Sequence, residues 1–333
     1  MTDDNLRLGV AINGYGLRSA GGGREVLSWR DVRQIVETAE ETGYEAVFTP
    51  EIGAREAFST LTAMAETTRR MRLATGVVPI GSRDARRMAM EAATLHDLSG
   101  GRFTLGLGSR EPIHRTRREL DGIRALLRGE APPADLGATL AAGPLDLFPG
   151  RLPIFLAALG PRMTELAGEV ADGVLLNWCT PQRVARAKDE VARGAVRAGR
   201  GADAVTIAVY VRCCLGHEDG HALPALAEQA GQYATMPYYL RQFEAMGLGE
   251  ESRTAGEAWE AGRSEDVPES LVRSVCVLGD RGEARARLAA YRDAGADLVV
   301  VYPVPVLDAA SSIFGSLFAA APSPEVERRS ATG

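Results

Sequence analysis

Two short segments of this 333-residue chain carry groups whose types and spacing suit chemistry. The run Ala158-Leu159-Gly160-Pro161-Arg162-Met163 sets a glycine and a proline between an apolar, strand-like run and an amphipathic stretch. The first backbone N–H groups of a helix have no partner within it, and the helix dipole adds partial positive charge there, so an anion such as phosphate fits at such a start. Pro161 suits the first turn because its missing N–H would have had no acceptor. Arg162 adds a charge beside it, although a routine strand-to-helix turn with a solvated arginine has the same sequence. The second segment is Gly106-Leu107-Gly108-Ser109-Arg110-Glu111. A partly buried Glu111 with a raised pKa would move protons; an acid before Pro112 at a helix start also suits the dipole without any catalytic role. His114, three residues on, is a second proton-handling candidate.

Composition narrows the chemistry. Lys188 is the lone lysine, which makes Schiff-base catalysis a poor fit. Cys179, Cys213, Cys214 and Cys276 form no C-x-x-C pair, and the four histidines show no zinc spacing, so no metal is expected. A net charge of -6 arises from interspersed Arg and Glu and gives no basic stripe for nucleic acid. The opening MTDDNLRLGV and the lack of a long apolar run point to a soluble, cytosolic protein with no membrane partner.

The elements that must position these groups alternate. Short apolar runs read as strands at Leu8 to Ile12, Ala46 to Thr49, Arg72 to Ile80, Phe103 to Gly108, Ile154 to Ala158, Gly173 to Asn177, Thr206 to Cys214 and Leu298 to Tyr302. Helical stretches separate them. Asp84 precedes a run with Met88, Ala92, Leu95 and Leu98 at helical spacing, and Ser99-Gly100-Gly101 stops it. Eight strands alternating with helices predict an α/β fold of the (β/α)8 TIM-barrel class, one domain over residues 1–333 with insertions at the C-terminal rim. Residues 217–277 hold more helix than one crossover needs and are expected to be a helical insertion after strand seven. Residues 322–333 are expected to be a flexible tail. The glycine-rich loop Gly14 to Ser28 is either a lid or an ordinary surface loop.

Two phrases carry a family resemblance. Thr94 to Gly108, TLHDLSGGRFTLGLG, resembles the passage between the third and fourth strands of the bacterial luciferase-like flavin and deazaflavin oxidoreductases. Leu152 to Trp178, LPIFLAALGPRMTELAGEVADGVLLNW, resembles the fifth strand, phosphate turn and sixth strand of the branch that uses coenzyme F420. The resemblance implies a bacterial luciferase-like barrel that exchanges a hydride between F420 and a small organic substrate, and that assembles as a homodimer. The loop lengths point to a specialised substrate, of the kind met in secondary metabolism. The resemblance also implies that the cofactor phosphate lies at Ala158, Leu159, Gly160, Arg162 and Met163, and the ring against Gly76-Val77, where relatives have a non-proline cis peptide. Asn13 and Asn177 would complete the cofactor site; Glu111, His114 and Glu51 are the candidate catalytic residues. Ile52 follows Glu51 where the sugar-phosphate dehydrogenases of this branch have histidine, and the lysines those enzymes use are missing, which counts against glucose-phosphate oxidation. An FMN-dependent monooxygenase and a non-catalytic barrel homologue are the alternatives.

Overall fold

A computed structural model describes residues 6–13, 15–18, 24–53, 55–109, 111–133, 145–147, 150–217, 219–306 and 308–321. The expected tail at 322–333 lies outside the described residues, as do residues 14 and 19–23 of the glycine-rich loop. The chain divides into two compact units: Met1–Glu45, Leu176–Lys188 and Ile207–Gly333 form one, Ala46–Leu175 and Asp189–Thr206 the other.

In the second unit, five strands pair in parallel in the order Ala46–Thr49, Arg72–Thr75, Phe103–Gly108, Ile154–Ala157 and, by its residues 173–175, Gly173–Asn177. Register runs from Ala46 opposite Arg72 to Ala157 opposite Leu175. Their apolar runs are buried on both faces, as parallel strands require. The helix Ala85–Leu98 starts where Asp84 accepts a bond of 2.9 Å from the Arg87 N–H, and it buries Met88, Ala92 and Leu95. Leu98, read as part of that apolar face, is instead 54% exposed, because the chain leaves the helix there through Gly100 and Gly101, both at positive φ. His96 takes an inward place, its Nδ1 3.0 Å from the Phe103 carbonyl.

The Ser-Gly-Gly-Arg turn has a structural task. Arg102 donates to the carbonyls of Ala65, Met71 and Ser99 and to the Thr68 hydroxyl at 2.8 to 2.9 Å. It thereby satisfies carbonyls where the helices Ala57–Thr67 and Ala85–Leu98 end and have no intrahelical donors left.

In the first unit, four parallel strands pair in the order Cys276–Gly279, Thr206–Leu215, Leu298–Pro303, Leu8–Ala11. Arg212 lies opposite Cys276 on one side and Tyr302 on the other. The helix Trp29–Glu41 is capped by Ser28 and buries Val32, Ile35, Val36 and Ala39. Tyr15–Arg18 and Arg24–Val26 form an antiparallel pair. Between residues 219 and 275 run four helices, Asp219–Ala234, Pro237–Ala245, Gly249–Glu260 and Glu269–Val275. The third of these reads as a polar stretch in sequence because it packs through small residues: a Cβ on Gly231 would meet the Ala255 carbonyl at 3.0 Å. Close backbone contact replaces the apolar stripe that periodicity detects. The short strand Cys276–Gly279 and the Ala- and Ser-rich helix Ala309–Ala320 likewise carry too little periodicity to be read. The exposed Lys188 lays its stem over Gly295, where an added Cβ would lie 2.6 Å from Lys188 Cδ.

Gly106 is a tight joint. Its N–H donates to the Thr75 hydroxyl at 2.7 Å, that hydroxyl donates to its carbonyl at 2.8 Å, and a Cβ there would lie 1.9 Å from the Thr75 carbonyl oxygen. Overpacking costs about 1 to 3 kcal/mol when side chains can yield; here backbone would have to move. Gly106→Ala is expected to cost about 3 kcal/mol or more in urea unfolding, with Gly201→Ala, whose Cβ would meet nothing within 4 Å, as the neutral control.

Candidate active site

The strand ends of the second unit are laced together around Gly76-Val77. The Gly76 N–H donates to the Thr49 carbonyl at 2.9 Å, the Glu51 N–H to the Val77 carbonyl at 3.2 Å, and the Ile80 N–H to the Gly108 carbonyl at 2.7 Å. The Gly76-Val77 peptide is cis. Gly108 is small because a Cβ would come within 2.5 Å of Val77 Cγ2.

Glu51, at the end of its strand, is committed to an ion pair. Its two oxygens accept from the two Nη atoms of Arg83, each at 2.8 Å, and Oε2 also accepts from the Ala57 N–H at 3.2 Å. The Arg83 hydrogen bonds hold this carboxyl below the usual range for glutamate, against the opposing effect of burial. Arg83 further pairs with Glu91 at 2.6 Å and lies 5.1 Å from the Phe58 ring centre. Burial pushes Glu91 up despite that pairing. Ile52, next to Glu51, is half exposed.

Glu111, His114 and Arg162 come together. With Pro112, Ile113 and Arg117 they line an open cavity of about 540 Å³ in the second unit. Glu111 is exposed rather than partly buried: its carboxylate faces Arg115 at 3.3 Å one turn along the helix Ile113–Leu127, a surface geometry set by Pro112 at the helix start. Arg117 is tied to Glu169. No hydrogen bond or ion pair engages the Arg162 guanidinium among the described residues, so it is a spare cation at the cavity wall. The helix Pro161–Val170 begins at Gly160 with no side-chain cap, and Gly160 has open space around its Cα. Ala158 and Met163 flank this turn, their N–H groups bonded to the carbonyls of Leu175 and Gly160.

In the first unit, Asn13 and Asn177 join a buried polar cluster. Arg212, 2% exposed, donates to Asn177 Oδ1 and, at 3.3 Å, to the Tyr233 hydroxyl. The Asn177 amide donates to the Tyr239 hydroxyl at 2.6 Å, and the Asn13 amide to the Tyr302 hydroxyl at 3.1 Å. Gln242 donates to the carbonyls of Asn177 and Trp178, each at 2.7 Å, which fixes the Trp178 backbone at a φ of 52°. Arg212, Tyr233, Tyr239 and Gln242 are the residues that site reasoning on the sequence missed or left without a role. The available signal was an arginine inside the apolar run of Thr206–Leu215.

Cys213, Cys214 and Cys276 are buried, and burial pushes their thiols up, so they stay protonated near neutral pH. Among the described residues no group of three or more His, Cys, Asp or Glu could hold a metal ion, and no helix is long and apolar enough to cross a membrane.

The model of the luciferase-like monooxygenase family matches residues 13–298. The chain belongs to that family. Its members are enzymes, and the fold is their closed (β/α)8 barrel of parallel strands with flanking helices. The 5,10-methylenetetrahydromethanopterin reductase of Methanolobus tindarius is 35% identical over 194 residues, covering 54% of this chain and 60% of that one. The chain thus spans less than two thirds of that reductase. A putative coenzyme F420-dependent oxidoreductase of Mycobacterium tuberculosis is 27% identical over 310 residues, covering 80% of this chain and 89% of that one. Among solved structures, the coenzyme F420-dependent tetrahydromethanopterin reductase of Methanopyrus kandleri superposes with a TM-score of 0.78 at 20% identity, covering 95% of this chain and 98% of that one.

The Arg83 cluster gives a pH-dependent prediction for this luciferase-like chain. The folded pKa of Glu51 lies below its unfolded value, so its stabilisation is present above the ordinary carboxylate range and is lost as pH falls through the folded value. Arg83→Met leaves Glu51, Glu56 and Glu91 without their shared cation. Expected is a loss of roughly 2 kcal/mol at neutral pH that shrinks as the medium is acidified toward about pH 4; urea unfolding at both pH values measures it.

Proposed function

We propose that this chain is a coenzyme F420-dependent oxidoreductase that exchanges a hydride between the deazaflavin and a small organic substrate. The observation that carries the reading is the convergence of Glu111, His114 and Arg162 on one cavity beside the uncapped helix start at Gly160. The relatives named for F420 support it from outside. One chain working as a single barrel domain, a homodimeric assembly and a cytosolic setting belong to the same proposal.

The residues present fit such a cofactor. Backbone around Ala158, Leu159, Gly160 and Met163 forms a helix start with no side chain over it, and Arg162 brings a cation not engaged elsewhere among the described residues. These hold the phosphate. Gly76 and Val77 are assigned to the ring, and Asn13 and Asn177 to polar contacts with bound ligand, on the family resemblance. When bound, the deazaflavin supplies a ring carbon that gives or accepts a hydride. Glu111 holds or moves the proton left at the substrate, with His114 as its neighbour on the same cavity wall. Glu51 acts through Arg83, keeping the strand end in place. The helices between residues 219 and 275 support a specialised substrate, in keeping with secondary metabolism.

A titration of the purified protein with F420 and with FMN, followed by ring fluorescence, tests the cofactor. Micromolar or tighter F420 binding with weaker FMN binding is expected; a preference for FMN, or binding of neither, would overturn the assignment. Arg162→Ala is expected to weaken F420 binding about tenfold, the loss of one charge-assisted contact to phosphate. Glu111→Gln should lower kcat by about a hundredfold or more with F420 affinity unchanged, and an unaltered kcat removes Glu111 from the reaction.

A further inference from the structure

Among the described residues, no anion faces the buried cation Arg212. Arg83 and Arg102, half-buried by contrast, have their charge answered, the first by three carboxylates and the second by three backbone carbonyls. Around Arg212 the described residues provide neutral groups. Its guanidinium carbon lies 4.0 Å from the Tyr302 ring centre, 4.8 Å from that of Trp178 and 5.2 Å from that of Tyr233. Its hydrogen bonds go to an amide oxygen and a phenol. No carboxylate pairs with it among the described residues, and its Nε has no hydrogen-bond partner there. The indole Nε1 of Trp178, stacked on the same guanidinium and 1% exposed, also lacks an acceptor.

Aromatic faces offset only part of the cost of burying a charge. Two buried donors without acceptors add to that cost. Such an arrangement is complementary to one partner, an acceptor that carries negative charge. Asn13, Asn177 and Tyr233 are only half-buried, so the cation sits one layer beneath polar groups that keep some exposure to solvent. Asn177 Oδ1 already faces Arg212, as the anion's oxygen would.

We infer that the Arg212 cluster is a carboxylate-binding site, which identifies the substrate as a small organic acid. The naming of that ligand as substrate rests on the oxidoreductase reading; the anion site itself does not. A bound carboxylate would neutralise Arg212 and accept from the orphaned donors. A neutral amide of the same shape would do neither.

Benzoate and benzamide at matched ionic strength separate the two cases, read by melting temperature and by tryptophan emission, since Trp178 lies on the guanidinium. In the unaltered protein benzoate should act at a concentration at least tenfold lower than benzamide. Arg212→Met should abolish that preference, and Arg212→Lys should keep part of it. Asn177→Asp places a carboxylate inside the cluster: it should melt higher than the unaltered protein with no ligand added, and its response to benzoate should vanish. This variant decides the matter even if Arg212→Met does not fold. Equal action of benzoate and benzamide, a preference that survives Arg212→Met, or an Asn177→Asp protein that melts lower would each overturn the inference. If F420 binds but carboxylates show no preference, the inference falls and the oxidoreductase reading stands. If carboxylates are preferred but F420 does not bind, the anion site stands and the oxidoreductase reading falls.

Discussion

The hydroxyl of Thr75 and the backbone of Gly106 hold each other by a pair of reciprocal hydrogen bonds, and much of the second unit is arranged by that contact. No residue larger than glycine fits, so the strand Phe103–Gly108 is fixed against Arg72–Thr75 in height as well as register. Gly108 repeats the constraint two residues on, against the Val77 side chain. The strand ends that carry Glu51, Gly76-Val77 and Glu111 are therefore placed by backbone geometry, and the side chains at those ends are free to vary without disturbing it.

Arginine does three different kinds of work here. Arg102 closes helix ends by donating to carbonyls, Arg83 gathers carboxylates, and Arg212 rests among aromatic rings. The planar guanidinium suits all three because it can donate in several directions in one plane while offering its faces to rings. An ammonium could replace it in each task only with loss, least in the second. That contrast accords with a chain in which arginine has displaced lysine at every position but one.

Much of the framework was legible in the sequence because parallel strands buried on both faces are apolar throughout, and because Asp84 announces a helix start. The Gly-x-Gly of residues 106–108 and the turn at 158–163 could be singled out for the same reason: glycine and proline mark places where backbone matters more than side chain. What stayed hidden depends on contacts distant in sequence. The helix Gly249–Glu260 packs through small residues, so its pattern looks polar. Glu51 looked like a group for a ligand because nothing nearby in sequence announces Arg83, 32 residues away, as its partner. Arg212 sat in an apolar run without a stated role, since its rings come from Trp178, Tyr233 and Tyr302 on three other segments.

The side chain of Lys188, laid across Gly295 and exposed at its end, has a practical corollary. Apart from the α-amino group it is the only primary amine in the chain. An amine-directed fluorophore, tether or cross-linker therefore addresses one defined point on the helix Pro181–Arg197, in a protein whose described cysteines are all sealed in its interior. Chemistry that gives a heterogeneous mixture with most proteins would here be confined to Lys188 and the α-amino group.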